Sequence, residues 1–331
     1  MSKKLPSTNS FRAILVALTI GFVGCGNQAA RTAFTQTTTP VNENLPQVVA
    51  TTSVLCDLTK QVAGNTVNLT CLIEPSADPH TYKPKPEDRR AIEQANLILY
   101  SGYNLEPNLI KLIKATKNTV PRIAVGQLAV SKPQKFHKDG KNLINPHLWH
   151  NTKNAIRMVE VINSNLRKLE SSDAETYNSN TKKITNELTQ LDSWIKSRIT
   201  SIPAKERKLV TTSNALSYYA KAYGIPLAGG GLQGINSDQN LTPTQVRNLV
   251  TNIKRAKVST IFPETAINEN SLQSIAKVAE VKISDRKLYV EGLGEPGSEA
   301  DTYQKMMIAN TRTIIEGLGG TYLMFQPKTA N

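Results

Sequence analysis

Two of the four histidines lie in loops whose residue types could bind a transition metal. His80 follows the β-rich segment 68–73, and His147 ends the motif Asn-Pro-His at 145–147. Imidazole is a common ligand of divalent transition metals. The proline before each histidine restricts the backbone there and helps to orient the ring. Because ligands of open parallel sheets bind beyond the carboxyl ends of the strands, we expect both loops to line one crevice.

The other two histidines have different surroundings. His137 lies in the sequence KFHKDG at 135–140, where neighbouring cations would oppose a metal ion, so we interpret it as an exposed loop residue. His150 has two open interpretations. It is either a histidine on the surface of its lobe or an auxiliary ligand that approaches from the turn next to His147.

Strand and helix patterns alternate in the elements that must position these loops. The first half predicts strands at 47–53, 68–73, 97–100 and 121–125, with helices at 54–63, 86–96 and 105–116. The second half predicts strands at 208–212, 226–233, 260–262 and 287–290, with helices at 215–223, 243–256, 271–279 and 301–317. This alternation is typical of βαβ units. The sequence therefore predicts an α/β fold with two lobes built on parallel sheets.

A long polar segment with one apolar stripe separates the two halves. Ser172 and Glu175 have the spacing of a capping box, and helical spacing continues to Pro203. A helix of about 30 residues would be roughly 45 Å long. We interpret it as a rigid linking helix at 171–202, which joins an N-terminal α/β lobe at 46–170 to a C-terminal α/β lobe at 203–331.

The N-terminus predicts export. Lysines and one arginine precede the short apolar stretch 13–24, which ends in Phe-Val-Gly before Cys25. Small residues before a cysteine resemble a bacterial lipobox, and an ordinary signal peptide with an incidental cysteine is the alternative. We expect a lipoprotein signal peptide at 1–25, lipidation of Cys25 and a flexible tether at 26–45. The protein would then be anchored to a membrane and face the periplasm or the cell exterior.

Two cysteines remain after Cys25, namely Cys56 and Cys71. In an oxidising compartment they could form a disulfide, and a pair of buried free thiols is the alternative. A thiolate metal site would need more cysteines at shorter spacing.

The formal net charge of +14 is spread along the chain and interleaved with acidic residues. Aromatic residues make up only 5% of the sequence, so the pattern does not indicate a nucleic-acid partner. We interpret the charge as a solvated surface that could lie near anionic lipid.

Several motifs together resemble one family. The sequences DPHTYKP at 78–84, PED at 86–88 and ANLILYSG at 95–102 are similar to the first metal-ligand segment of the manganese and zinc solute-binding proteins of ABC importers. The sequence NPHLW at 145–149 is similar to their second segment, and residues 291–303 to their fourth. The resemblance covers about residues 46–325 and implies two α/β lobes joined by one rigid helix, with the metal cleft between the lobes.

The resemblance also implies a ligand set. Its first two ligands fall on His80 and His147, and its fourth, usually aspartate, falls on Glu291. Its third, usually glutamate or histidine, falls on Ser213, whose neutral hydroxyl is a weak ligand. Water, the side-chain carbonyl of Asn214, bidentate binding by Glu291 or the nearby His150 could replace it.

A mixture of imidazole and carboxylate favours Mn²⁺ as the cargo, with Zn²⁺ or Fe²⁺ as alternatives. The implied partners are ABC importer permease subunits, the expected state is a monomer, and no enzymatic activity is expected. Two rivals remain open: a catalytic metal site, for which Glu264 is the candidate general base, and an adhesin or other surface protein. Without its third ligand, the chain could also be a degenerate paralogue with weakened metal binding.

Overall fold

The computed structural model describes residues 44–138, 140–211, 213–228, 242–264 and 269–328. The predicted signal peptide, the lipidation site Cys25 and the tether up to residue 43 lie outside these ranges. Within the described residues, no helix is long and apolar enough to cross a bilayer.

The first lobe is built on a parallel sheet. Its strands are β1 (Gln47–Ala50), β2 (Asn68–Cys71), β3 (Leu97–Tyr100) and β4 (Arg122–Ala124), in the order β2-β1-β3-β4. The connecting helices are α1 (Ser53–Ala63), α2 (Pro86–Gln94) and α3 (Pro107–Ala115), and α4 (Val125–Ala129) follows β4. The alternation predicted from the sequence is confirmed here.

Both faces of this sheet are buried. Along β1, Val48 and Ala50 pack into the large core between helices, whereas Val49 packs into a second cluster with Ile98 on the opposite face. The sequences of such strands are nearly continuous apolar runs because neither face of the sheet is exposed to water. The carboxyl ends of the strands are therefore the edge of the sheet from which polar loops can emerge.

The boundaries of α1 show how the sequence positions these loops. Thr52, directly after β1, caps the helix by accepting a hydrogen bond from the Leu55 backbone N–H at 3.3 Å. Gly64 ends the helix with φ of 61°, a left-handed backbone that glycine adopts without steric cost. The predicted helix stop at this glycine is confirmed.

Residues 135–138 and 141–144 pair as an antiparallel hairpin where we predicted a loop. Strands β5 (Lys135–Lys138) and β6 (Lys141–Ile144) pair so that His137 lies opposite Asn142. The prediction was wrong because lysines interrupt the apolar alternation that marks a strand. His137 is nevertheless exposed, as expected. The hairpin leads directly into the segment that carries His147.

Two helices that pack against each other follow the His147 segment. Helix α5 (Thr152–Leu169) and helix α6 (Ala174–Thr200) are connected by a 3-10 turn, Ser171–Asp173. At 1.5 Å per residue, α6 is about 40 Å long. Its predicted stripe is buried, and consists of Tyr177, Ile184, Leu188, Leu191 and Ile195.

The predicted capping box at the start of α6 does not form. The Ser172 hydroxyl donates to the Glu170 carboxylate at 2.7 Å, and Asp173 occupies the N-cap position without a side-chain hydrogen bond to the helix. The helix therefore begins after the 3-10 turn, in which Ser172 is already hydrogen-bonded to Glu170.

The second lobe repeats the strand–helix alternation with shorter pairings. Its elements are α7 (Ser217–Tyr223), α8 (Pro243–Ala256), β7 (Thr260–Ile261), α9 (Glu269–Ala279), β8 (Lys282–Ile283) and α10 (Tyr303–Gly317). Strands β7 and β8 are parallel, and single parallel bridges join Leu209 to Leu227, Thr211 to Phe262, and Glu264 to Leu288. Among the described residues of the strands predicted at 208–212, 226–233 and 287–290, pairing is thus reduced to single bridges, and positions 212 and 229–233 lie outside the described ranges.

One large apolar core runs through both lobes. It contains Leu58 of α1, Leu188 of α6, Phe262 of the second lobe, and Met306 and Ile314 of α10. A smaller cluster lies on the far side of each lobe. The fold is therefore α/β with two lobes connected by α6, as predicted, and the shared core stabilises their relative position.

Candidate metal centre

Three side chains from three distant segments converge on one point. The Nε2 atom of His147 lies 3.0 Å from Oε2 of Glu291 and 3.3 Å from Nε2 of His80. The third distance, from His80 Nε2 to Glu291 Oε2, is 3.3 Å. These residues form a potential metal-binding group.

The size of this triangle suits a metal ion. A point just above its plane lies about 2 Å from all three atoms, which is the length of a metal–imidazole or metal–carboxylate bond. Two neutral imidazoles and one carboxylate together carry a charge of −1, which attracts a divalent cation. The arrangement leaves further coordination positions for other donors.

His80 is positioned by the loop between β2 and α2. The Asp78 carboxylate accepts hydrogen bonds from the His80 backbone N–H at 2.8 Å and from the Thr81 hydroxyl at 3.1 Å. This turn of aspartate, proline and histidine sets the direction of the imidazole. The side chain of His80 remains 37% exposed, so this ligand faces the mouth of the cleft.

His147 lies deeper, at the start of the 3-10 turn Leu148–His150, and is buried. The side-chain oxygen of Asn145 lies 2.8 Å from Nδ1 of His147 and accepts its backbone N–H at 3.0 Å. Asn145 itself is buried and also donates to the Asn214 carbonyl at 2.8 Å. The ring is therefore held from its far side while Nε2 faces the other two ligand atoms.

Glu291 comes from the second lobe, but first-lobe groups hold its main chain. His150 Nε2 donates to the Val290 carbonyl at 2.9 Å. The Leu293 N–H donates to the Ser53 hydroxyl at 3.0 Å, and the Leu293 carbonyl accepts the Ser76 N–H at 2.9 Å. A Cβ on the intervening Gly292 would lie 2.6 Å from the Ser53 hydroxyl oxygen, so glycine permits this close approach.

The electrostatics of the three groups are complementary. Burial opposes ionisation of Glu291, but the charge and hydrogen bonds of the two histidines lower its pKa well below its usual range. Burial also lowers the pKa of His80, but the hydrogen bond and charge of Glu291 raise it above its ordinary value. A positive charge at the centre of the triangle is therefore favoured, whether a proton or a metal ion carries it.

Ser213, the weak position of the predicted ligand set, is engaged elsewhere. Its hydroxyl accepts the Ala215 N–H at 3.1 Å, and its own N–H donates to the Glu264 carboxylate at 2.9 Å. Asn214 contributes its main-chain carbonyl to Asn145. The hydrogen bonds of this turn thus stay within it or go to Glu264 and Asn145, and none involves the three converging side chains.

His150 is fully buried, so the interpretation as a surface histidine was wrong. Desolvation lowers the pKa of His150 to about 3, which keeps its ring neutral. Its Nε2 donates to the Val290 carbonyl and does not point at the triangle. It acts on the site through the main chain next to Glu291.

Cys56 of α1 and Cys71 of β2 are paired in a disulfide, with Cα atoms 5.6 Å apart. This bridge ties the first helix to the strand that precedes the His80 loop. The loop that the disulfide closes, residues 56–71, contains none of the three converging side chains.

Two buried polar residues near these loops escaped the sequence reasoning. Asn145 was noted only as part of a motif, although it contacts both lobes. Glu106 is fully buried, and its carboxylate accepts the Thr51 hydroxyl and the Ser101 N–H, each at 2.7 Å. Burial raises the pKa of Glu106. In the sequence, the only local indication of a structural role for Glu106 is that it precedes Pro107 at the start of a helix.

Fold and site together define a two-lobed α/β binding protein with a potential metal site between its lobes. The chain belongs to the family described as ZnuA, zinc-uptake complex component A periplasmic, which matches residues 48–317.

Characterised relatives carry related names. The chain is 32% identical to the metal ABC transporter substrate-binding lipoprotein ScbA of Streptococcus cristatus over 92% of this chain and 97% of that protein. It is also 32% identical to the manganese ABC transporter substrate-binding lipoprotein PsaA of Streptococcus mitis, over 82% and 89%.

Solved structures share the fold. The periplasmic zinc-binding protein TroA from Treponema pallidum matches with a TM-score of 0.75 and 27% identity, over 83% of this chain and 99% of TroA. A manganese-bound periplasmic metal-binding protein from Candidatus Liberibacter asiaticus matches with a TM-score of 0.72 and 26% identity, over 82% and 99%.

Proposed function

We propose that this protein captures a divalent transition metal between its lobes and delivers it to the permease of an ABC importer. The observation that carries the proposal is the convergence of His80, His147 and Glu291 through atoms 3.0–3.3 Å apart. Two neutral nitrogen donors and one carboxylate oxygen at this spacing form a metal site. The names of the relatives support transport as the purpose of that binding.

Capture without chemical conversion agrees better with the surroundings of the site than catalysis does. Glu264, the candidate general base of the enzymatic alternative, is buried and accepts the Ser213 N–H. A general base must reach the proton it removes, and Oε1 of this carboxylate already accepts a backbone N–H.

We propose Mn²⁺ as the cargo. A site with an anionic oxygen and two imidazoles suits Mn²⁺, and several relatives are named as manganese transporter components. Zn²⁺ is the alternative that the TroA match supports, and Fe²⁺ has the same ligand preferences. Since zinc generally binds such sites more tightly than manganese, the cargo is the metal retained in cells and not the tightest metal in a test tube.

We further propose that the chain acts as a monomer tethered through Cys25 and faces the periplasm or the cell exterior. The lipoprotein names of the relatives support this location. The predicted boundaries of the lobes, at 46–170 and 203–331 on either side of the linking helix at 171–202, are part of the same proposal.

Metal analysis of the purified protein tests the function. We expect protein from metal-replete cells to retain about one equivalent of metal per chain, with manganese the most abundant. His80→Ala and His147→Ala should each abolish retention because each removes one of three strong ligands. His137→Ala is the matched control, since that histidine is exposed in the hairpin. Retention by both ligand variants would refute the site, and turnover of a substrate would favour the enzymatic alternative.

A further inference from the structure

The linking helix α6 carries an aspartate on its buried stripe. Asp192 lies next to Leu191 and three residues before Ile195, and its side chain is only 10% exposed. Both carboxylate oxygens are hydrogen-bonded: Oδ1 accepts the Thr152 hydroxyl at 2.9 Å, and Oδ2 accepts the Lys196 ammonium at 2.6 Å. Such partners replace the water that a carboxylate loses on burial. The helix therefore has a fixed polar contact on an otherwise apolar stripe.

The Thr152 hydroxyl connects this carboxylate to the second lobe. A hydroxyl has one hydrogen, and Thr152 gives it to Asp192, so the Thr152 oxygen accepts the Tyr223 hydroxyl, 3.0 Å away. The Tyr223 oxygen in turn accepts the Thr152 backbone N–H at 3.4 Å. All three side chains are buried. We call these side chains of Asp192, Thr152 and Tyr223 the Asp192 network.

The first-lobe member of the Asp192 network lies close to the proposed metal site along the chain. Thr152 is the first residue of α5, and the 3-10 turn Leu148–His150 that begins after His147 ends two residues before it. Asn154, in the same first turn of α5, donates to the Leu148 carbonyl at 3.0 Å. The start of α5 and the turn after His147 are thus held together.

The second-lobe member also belongs to an element that reaches this site. Tyr223 ends α7, a helix of seven residues and thus about 10 Å long. At the other end of α7, the Asn214 carbonyl accepts the Ser217 backbone N–H at 3.0 Å and the Asn145 side chain at 2.8 Å. Asn145 lies two residues before His147. A displacement of α7 would therefore move the turn that contacts the His147 segment.

We propose that Asp192 is a positioning residue: through the Thr152 hydroxyl it fixes the linking helix to the His147 segment and to α7, and so holds the two lobes in place for metal capture. A hydrogen-bonded carboxylate sets the register of its helix, whereas apolar packing alone tolerates small displacements. The inference rests on the proposed function, since it assigns to Asp192 the geometry of that same site. Asp192 itself does not bind the metal.

Deleting the central hydroxyl tests the proposal. Thr152→Val keeps the shape of the side chain but leaves Asp192 and Tyr223 without their shared partner. We expect it to weaken Mn²⁺ binding by the full chain about tenfold in isothermal titration calorimetry, as for other residues that support metal ligands. Thr152→Ser retains the hydroxyl and should bind like the wild type. Loss of affinity in both variants, or in neither, would overturn the proposal.

Asn178→Ala is the matched control for these variants. It removes another hydrogen bond between α5 and α6, which the Asn163 side chain donates to Asn178 at 3.1 Å. That contact does not include α7, so Mn²⁺ affinity should stay unchanged. A tenfold loss in this control would mean that any disturbance of the helix pair weakens the site, which would contradict a specific role for Asp192.

A double variant shows whether Asp192 and Thr152 act as one unit. Asp192→Ala should weaken Mn²⁺ binding as much as Thr152→Val does, and the combination should be no weaker than either single variant. Two independent contributions would instead multiply to about 100-fold. That result would overturn the transmission through the Thr152 hydroxyl.

Amide hydrogen exchange in the metal-free protein separates positioning from a general loss of stability. In Thr152→Val we expect faster exchange at Ala155 in α5 and at Ala220 in α7, whose N–H groups donate to main-chain carbonyls at 3.1 Å and 2.8 Å. Ile110 in α3, remote from the network, should exchange as in the wild type. An effect confined to Ala155, or equal at all three amides, would contradict the coupling.

Two further outcomes are decisive. If Thr152→Val does not fold, Tyr223→Phe removes a single hydroxyl from the same network and must show faster exchange at both Ala155 and Ala220, or the proposal fails. A wild-type protein that binds no Mn²⁺ or other transition metal would refute metal capture. The exchange measurement would still decide whether Asp192 couples the two lobes.

Discussion

The first lobe brings two imidazole nitrogens to the proposed metal site from a continuous sheet, whereas the second lobe brings a carboxylate oxygen from short, interrupted pairings. His80 and His147 each have a dedicated hydrogen-bonded turn in the first lobe. The second lobe contributes Glu291, and the hydroxyl of Ser213 is engaged within its own turn. In the proposed site, the two nitrogen atoms are therefore held in place by hydrogen bonds of the first lobe, and the oxygen side consists of the carboxylate of Glu291.

Removing that carboxylate should have the largest effect. We expect Glu291→Ala to weaken Mn²⁺ binding about 10³-fold, or ~4 kcal/mol, because the site loses its only negative charge. Isothermal titration calorimetry measures the change. Glu295→Ala, an exposed glutamate in the same segment, should leave affinity unaltered. Equal loss in both variants would show that the segment, and not the ligand, was disturbed.

The rigidity of the first lobe should depend partly on its disulfide. Cys56 and Cys71 are 15 residues apart, and closing a loop of this length stabilises a protein by about 3 kcal/mol. We expect the double change Cys56→Ala and Cys71→Ala to lower the free energy of unfolding by about that amount in urea titrations. Mn²⁺ affinity should change little, because neither cysteine contacts the ligands. A large loss of affinity would mean that the bridge also positions the His80 loop.

A second carboxylate at position 213 would reduce the difference between the lobes, because the second lobe would then supply two anionic oxygens. We expect Ser213→Glu to tighten Mn²⁺ binding about tenfold, or ~1.4 kcal/mol, because it adds an anionic oxygen to a site with open positions. Ser213→Gln has the same length without the charge and should give no such gain. If the two variants bind equally, the turn at Ser213 does not reach the metal.

Acidification should weaken Mn²⁺ binding by protonating His80, whose side chain is more exposed than that of His147. Metal binding requires neutral imidazoles, and the carboxylate of Glu291 raises the pKa of His80 above its ordinary value. Affinity should therefore be greatest above that pKa and fall by less than tenfold per unit as the pH decreases through it. Titrations between about pH 8 and pH 6 measure this slope. A flat profile would mean that no proton competes with the metal.

Patterns that depend on local backbone preference were predictable. The strands of the first lobe, the end of α1 at Gly64 and the buried stripe of α6 all followed from apolar spacing and glycine. The pairing of residues 135–138 with 141–144 was not predicted, because the lysines there mask the alternation. In the described part of the second lobe, isolated bridges stand where longer strands were predicted, since an apolar run indicates burial but not how many of its residues pair.

For the site, the sequence by itself determined which residue types and loops were available: His80, His147, Glu291 and the weak position Ser213. Only the tertiary structure decided which atoms meet, because His147 lies 67 residues from His80 and 144 from Glu291 along the chain. Periodicity encodes burial along one segment, whereas the contacts of Asn145 and the burial of His150 arise from packing between lobes. Those inter-lobe contacts hold the three candidate ligand atoms 3.0–3.3 Å apart.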